Sequence, residues 1–128
     1  MSENMTLNEL RDKAFAYAKK QGFHDQPANF GEQLMLIVSE LSEALDADRE
    51  GRWAKFSWIL DIETTDFSDS GIRDSYEKKC KGTVEEEIAD TVIRLCDLAG
   101  LYNIDLDWHV RAKMAYNETR PHLHGKKY

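Results

Sequence analysis

The chain has 128 residues, 41% of them hydrophobic and a net charge of −7, enough for one packed core and too apolar for a disordered chain. The acidic balance argues against general binding to nucleic acid or to anionic membranes. The longest strictly apolar run, Leu34 to Val38, is far too short to cross a bilayer.

Four helices are predicted, each from its own start signal. Thr6-Leu-Asn-Glu9 has the capping-box pattern, and Leu7, Leu10, Ala14 and Ala18 follow at helical spacing before Gly22. Asn29-Phe-Gly-Glu32 opens a second helix in the same way, running to about Gly51, with Leu34, Ile37, Val38, Leu41 and Leu45 as its main apolar stripe. Residues 51–82 form a long connecting segment. Trp53, Phe56 and Trp58 begin it, "DIETTDFSDSG" reads as loop, and Asp74 to Cys80 as a helical turn. Thr83-Val-Glu-Glu86 is a further capping box, opening a helix with Val84, Ile88, Val92, Leu95 and Ala99 on one stripe and a stop near Gly100. Asp105 caps a last helix that ends before Pro121. No alternating strand pattern and no internal repeat is evident. The expected class is all-α, a small bundle of four main helices in one domain spanning 1–128.

Cys80 and Cys96 have neither metal-type nor redox-type spacing, and the N-terminus lacks a signal-peptide pattern, so a reduced, cytoplasmic protein is expected. Charge is unevenly spread. Residues 111–128 hold Arg111, Lys113, Arg120, Lys126 and Lys127 against Glu118 alone, a local balance of +4 in a chain of −7.

Glu40 and Glu43, in "SELSEAL", lie three apart on the second helix, bracketed on their own face by Leu36 and Ala47. Two carboxylates so placed repel without a counter-charge, which basic side chains or a divalent metal could supply. Glu87 and Asp90, in "TVEEEIAD", repeat the spacing on a face shared with Thr83, Glu86, Arg94 and Asp97. Taken alone, that face reads as solvated, with Arg94 pairing Asp90 at i+4. Two facing pairs on antiparallel helices would instead make an oxygen-only cage, suited to Mg²⁺ or Mn²⁺ with phosphate and unsuited to zinc.

Glu40-x-x-Glu43 with Glu87-x-x-Asp90 resembles the E-x-x-E … E-x-x-D signature of the MazG-like all-α nucleoside triphosphate pyrophosphohydrolases. "GFHDQPANFGEQLMLIVSELSEAL", "GTVEEEIADTVIRLCDLAGLYNIDL" and "KMAYNETRPHLHGKKY" are similar to successive parts of that family, and together cover most of the chain outside the middle segment. The separation of 44 positions from Glu43 to Glu87 is longer than typical, and the surplus falls in 51–82.

The resemblance implies that the four acids hold Mg²⁺, with Mn²⁺ a possible substitute. Water activated by the metal attacks the α-phosphorus of a (deoxy)nucleoside triphosphate, giving the monophosphate and pyrophosphate. Glu43 is the alternative carrier of water orientation or deprotonation. The resemblance further implies a homodimer or tetramer, and its dCTP-hydrolysing branch points to a deoxynucleoside triphosphate, pyrimidine before purine.

Lys113, Asn117 and Arg120 recur along one side of the last helix, as phosphate and sugar contacts or as an ordinary basic helix end. Lys126 and Lys127 read as a solubility tail or, by the resemblance, as closing over phosphates. His24 lies near the nucleobase by the same resemblance. Phe30, Trp53 and Trp58 are stacking candidates whose ordinary alternative is core packing. His122 and His124 lack a third ligand, and no histidine completes a Glu-x-x-His di-metal motif. The rival class is a helical interaction module that keeps the fold and binds nucleotide without turnover.

Overall fold

The computed structural model describes residues 4–55 and 69–127, with side chains from residue 71 onward in the second stretch. Phe56, Trp58 and the greater part of "DIETTDFSDSG" lie outside the described residues. The described residues contain five α-helices and no strand: α1 (Leu7–Lys20), α2 (Phe30–Arg49), α3 (Asp69–Lys79), α4 (Val84–Leu101) and α5 (Leu106–Glu118). A short 3-10 turn, His122–Gly125, follows α5. None of these helices is long and apolar enough to cross a membrane.

The chain divides into two compact units, Met1–Gln26 with Leu95–Tyr128, and Pro27–Arg94. In the first, the Thr6 capping box forms as expected, with Thr6 Oγ1 accepting from Glu9 N and Glu9 Oε2 from Thr6 N. The same helix start is also tied to α5. Asp107 accepts from Leu7 N and Asn8 N, while Asn8 Oδ1 accepts from Leu106 N and Asp107 N. Asn8 Nδ2 donates to Asp105 Oδ1, which also caps Trp108 N. Each helix thus satisfies amides that the other leaves without an intrahelical partner. These bonds hold the Asp105 carboxyl below its ordinary pKa, the Asn8 bond foremost.

The helix expected to stop near Gly100 runs on to Leu101. Asn103 takes the left-handed conformation (φ 52°), with Ile104 N bonded to Ala99 O and Asn103 N to Gly100 O. That is a Schellman ending with asparagine in the usual glycine place. Gly100 serves packing instead: a Cβ there would lie 2.6 Å from Phe15 Cβ.

In the second unit, Asn29 Oδ1 caps Glu32 N, and α2 ends in a Schellman motif on Gly51 (φ 70°), with Arg52 N bonded to Ala47 O. The Thr83 box forms in a shifted version. Thr83 Oγ1 accepts from Glu86 N, but Glu86 Oε1 reaches Gly82 N rather than Thr83 N. Thr83 N is already bonded to Cys80 O. The turn expected at 74–80 is a full helix beginning at Asp69, despite its poor formers Gly71, Ser70 and Ser75. Tyr76 on that helix lies within reach of the Glu86 side chain, and burial, then the Glu86 charge, pushes its phenol pKa up. Tertiary contact here outweighs local propensity.

The two apolar stripes are not the core expected of them. On α2 only Ile37 of the stripe is buried, with Leu41 and Leu45 about half exposed, while Glu40 and Ala47 are buried. On α4 only Val84 and Ala99 of the stripe are buried; Ile88, Val92 and Leu95 are open, while Thr91, next to Asp90 and one turn on from Glu87, is buried. Within the Pro27–Arg94 unit, α2 and α4 therefore meet along the faces that carry the acids.

Candidate metal centre

Contacts along α2 and α4 run in opposite order. Val84 N donates to Arg52 O, and Ala54 N to Glu85 Oε1. Further from those ends, Glu43 approaches Glu87, and Glu40 pairs with Arg94. The helices are antiparallel, so i,i+3 spacing on each brings one acid pair opposite the other.

Glu40, Glu87 and Asp90 each offer a carboxylate oxygen, all within 4.8 Å of one another. Glu40 is buried (8% exposed), and Glu87 and Asp90 are half-buried. Glu43 is exposed and stands beside this trio, near enough for its side chain to push the Glu87 carboxyl up. Arg94 does not turn back to Asp90, as the i+4 spacing suggests. Its Nε lies 2.7 Å from Glu40 Oε1, across to α2. Asp90 still feels the guanidinium, which partly offsets the upward push of burial and of Glu40 on its carboxyl.

Among the described residues Arg94 is the ion-pair partner of these acids, and one arginine does not compensate four carboxylates. Glu87 Oε2 is buried and has no hydrogen-bond partner. Desolvation, followed by the carboxylates of Glu43 and Glu40, raises the Glu87 pKa from 4.5 to about 7. A buried, unpartnered anionic oxygen among other carboxylates is costly unless a proton or cation joins it. With oxygen donors only, the set fits hard divalent cations of the Mg²⁺ and Mn²⁺ kind.

The raised carboxyl has a consequence for stability. Below about pH 4.5 both folded and unfolded chains carry the Glu87 proton; between there and about 7 only the folded chain retains it. The stability contributed by this group is therefore present in weak acid and lost as pH rises through about 7. In chelator, the melting temperature should fall by several degrees from pH 5 to pH 8, and Glu87→Gln should flatten that slope. A melting temperature that rises over this interval and ignores Glu87→Gln would contradict the crowding of the four acids.

The remaining candidates take varied positions. Trp53, just after α2, is about half exposed, and its Nε1 donates to Asp48 Oδ1 at 3.0 Å. Phe30 is the first residue of α2 and is exposed. In the other unit, His24 Nε2 lies 2.7 Å from Asp97 Oδ1, and its ring packs 5.4 Å from that of Phe15. Lys113 and Arg120 both lie over the Tyr116 ring, at 4.8 and 5.7 Å. Asn117 Oδ1, one residue on, is buried without a partner. Lys126 is exposed beyond the 3-10 turn, and Arg120 Nη2 donates to His124 O within it.

Arg94 has a larger part in the site than its spacing suggests. Arg94 follows Asp90 by four and Glu87 by seven, so it shares their face. Its choice of Glu40 depends on a helix 54 positions away in the chain and has no local signal. Comparison with protein-family models, with curated proteins and with solved structures finds no match for this chain.

Proposed function

We propose that the chain is a Mg²⁺-dependent nucleoside triphosphate pyrophosphohydrolase, cleaving a (deoxy)nucleoside triphosphate to the monophosphate and pyrophosphate. The observation that carries the reading is the convergence of Glu40, Glu87 and Asp90, with a buried Glu87 oxygen left unpartnered. Glu40, Glu43, Glu87 and Asp90 are the residues that would hold divalent ions. Such ions neutralise phosphate charge and lower the pKa of water. The acids themselves fix the position of the reacting groups, which supplies much of the catalysis in phosphate chemistry. Glu43, exposed beside the trio, is suited to accept a proton from the attacking water. The reaction consumes one water: its oxygen joins the α-phosphorus, and the α–β anhydride bond breaks with pyrophosphate leaving.

Lys113, Asn117, Arg120 and Lys126 are proposed as phosphate and sugar contacts, supported by the convergence of Lys113 and Arg120 on Tyr116. His24, Phe30 and Trp53 are proposed around the base, with a pyrimidine deoxynucleotide the favoured substrate. The protein acts in the cytoplasm as a homodimer or tetramer. Support for a second copy comes from the open apolar residues of α2, Leu34, Val38, Leu41 and Leu45, since single chains rarely leave contiguous apolar surface uncovered.

The test is chromatographic separation of products from the eight common ribo- and deoxyribonucleoside triphosphates with Mg²⁺. Monophosphate and pyrophosphate are expected. Nucleotide binding without any turnover would return the chain to the non-catalytic module.

A further inference from the structure

We infer that Arg94 is the built-in counter-cation of this centre, neutralising Glu40 in the metal-free protein and passing to the triphosphate when divalent ions take the acids. The inference rests on the proposed metal-dependent reading and adds a residue to it.

Three observations carry it. Arg94 is bound by position: Nε lies 2.7 Å from Glu40 Oε1, and Glu40 is the one buried acid of the trio. Leaving that carboxylate unpaired would be costly, so something cationic must stand beside it. The pair is also unequal. The Glu40 side chain is 11% exposed and that of Arg94 46%, so the contact is anchored on the acid and open on the arginine. The guanidinium meets Glu40 through Nε, and a side chain 46% exposed keeps room for its other N–H donors to take phosphate oxygens. Finally, Arg94 lies within electrostatic reach of Asp90 as well as Glu40. A cation bound among Glu40, Glu87 and Asp90 would therefore sit close to a like charge, and the two would compete for Glu40. An incoming triphosphate offers the displaced guanidinium a new anionic partner, so metal and substrate assist one another.

The competition fixes the sign of an experiment that needs no turnover. Mn²⁺ alone is titrated into the intact protein, without nucleotide, and free ion is followed by electron paramagnetic resonance for wild type, Arg94→Gln and Arg94→Lys. Arg94→Gln should bind Mn²⁺ about tenfold more tightly, because a like charge has left the site. The same variant should melt lower than wild type in chelator, because Glu40 has lost its partner, and recover that deficit as Mn²⁺ is added. Arg94→Lys keeps the charge and should bind Mn²⁺ nearly as wild type does. With nucleotide, Arg94→Gln should raise KM about tenfold with a smaller change in kcat, and Arg94→Lys should lie between, having lost the fork but not the charge. Saturable Mn²⁺ binding in wild type with equal or weaker binding in Arg94→Gln would overturn the counter-cation role while leaving the metal centre standing. Absence of Mn²⁺ binding in wild type would overturn both.

Discussion

Chelation of divalent cations should reduce triphosphate turnover to the uncatalysed background, and Mg²⁺ or Mn²⁺ should restore it where Zn²⁺ does so poorly. The expectation follows from the donor set. Glu40, Glu87 and Asp90 converge with oxygen atoms alone, and Glu43 stands beside them. Hard cations accept such a set, whereas zinc prefers nitrogen and sulfur. Without a cation, the triphosphate would meet four carboxylates with, among the described residues, Arg94 as their ion-pair partner. Binding would fail on charge before any chemistry began. The check is pyrophosphate release measured in Mg²⁺, in excess chelator and after each metal is returned. Undiminished turnover after complete chelation would exclude the metal mechanism.

Glu40→Gln, Glu43→Gln, Glu87→Gln and Asp90→Asn should each lower kcat/KM by at least about a hundredfold, the scale on which loss of one well-placed electrostatic group acts. The fold should survive every one of them. For Glu87→Gln, melting in chelator near pH 8 should be higher than wild type, because the substitution removes a charge whose oxygen Oε2 is buried without a partner. Adding Mg²⁺ should stabilise wild type and should leave this variant less affected. Loss of activity combined with gain of metal-free stability separates a functional acid from a structural one. Wild-type rates for both Glu87→Gln and Asp90→Asn would return the α4 pair to an ordinary polar helix face.

Local signals read well in this chain. The caps at Thr6, Asn29 and Asp105 and the stop at Gly51 involve residues within a few positions of one another, and all form. The acid pairs were likewise visible, because i,i+3 spacing fixes two side chains on one helix face whatever the rest of the fold does. Signals that depend on distant chain were not. Asn8 and Asp107 exchange helix caps across about a hundred residues, and nothing near either residue marks the exchange. The helix at Asp69–Lys79 is tied to Glu86 through Tyr76, a contact that propensity cannot see.

The apolar stripes show a subtler limit. Ile88 and Val92 have the spacing of a core face, yet both are open, while Glu87 and Asp90 are half-buried against α2. Periodicity reveals that a helix has two faces, not which neighbour each face receives. Here the acidic face of α4 packs against α2, and it is the apolar face of α2 that is proposed for a second copy. Arg94 belongs to the same lesson: its spacing offered Asp90, and α2 placed Glu40 closer.

The most direct test of the central claim is hydrolysis of a deoxynucleoside triphosphate by the intact protein and Mg²⁺ in ¹⁸O-labelled water, with mass analysis of both products. Water attack at the α-phosphorus puts the label in the nucleoside monophosphate and leaves pyrophosphate unlabelled. Label in pyrophosphate would place the attack at the β-phosphorus, and label in orthophosphate beside a nucleoside diphosphate would place it at the γ-phosphorus; either result would contradict the account.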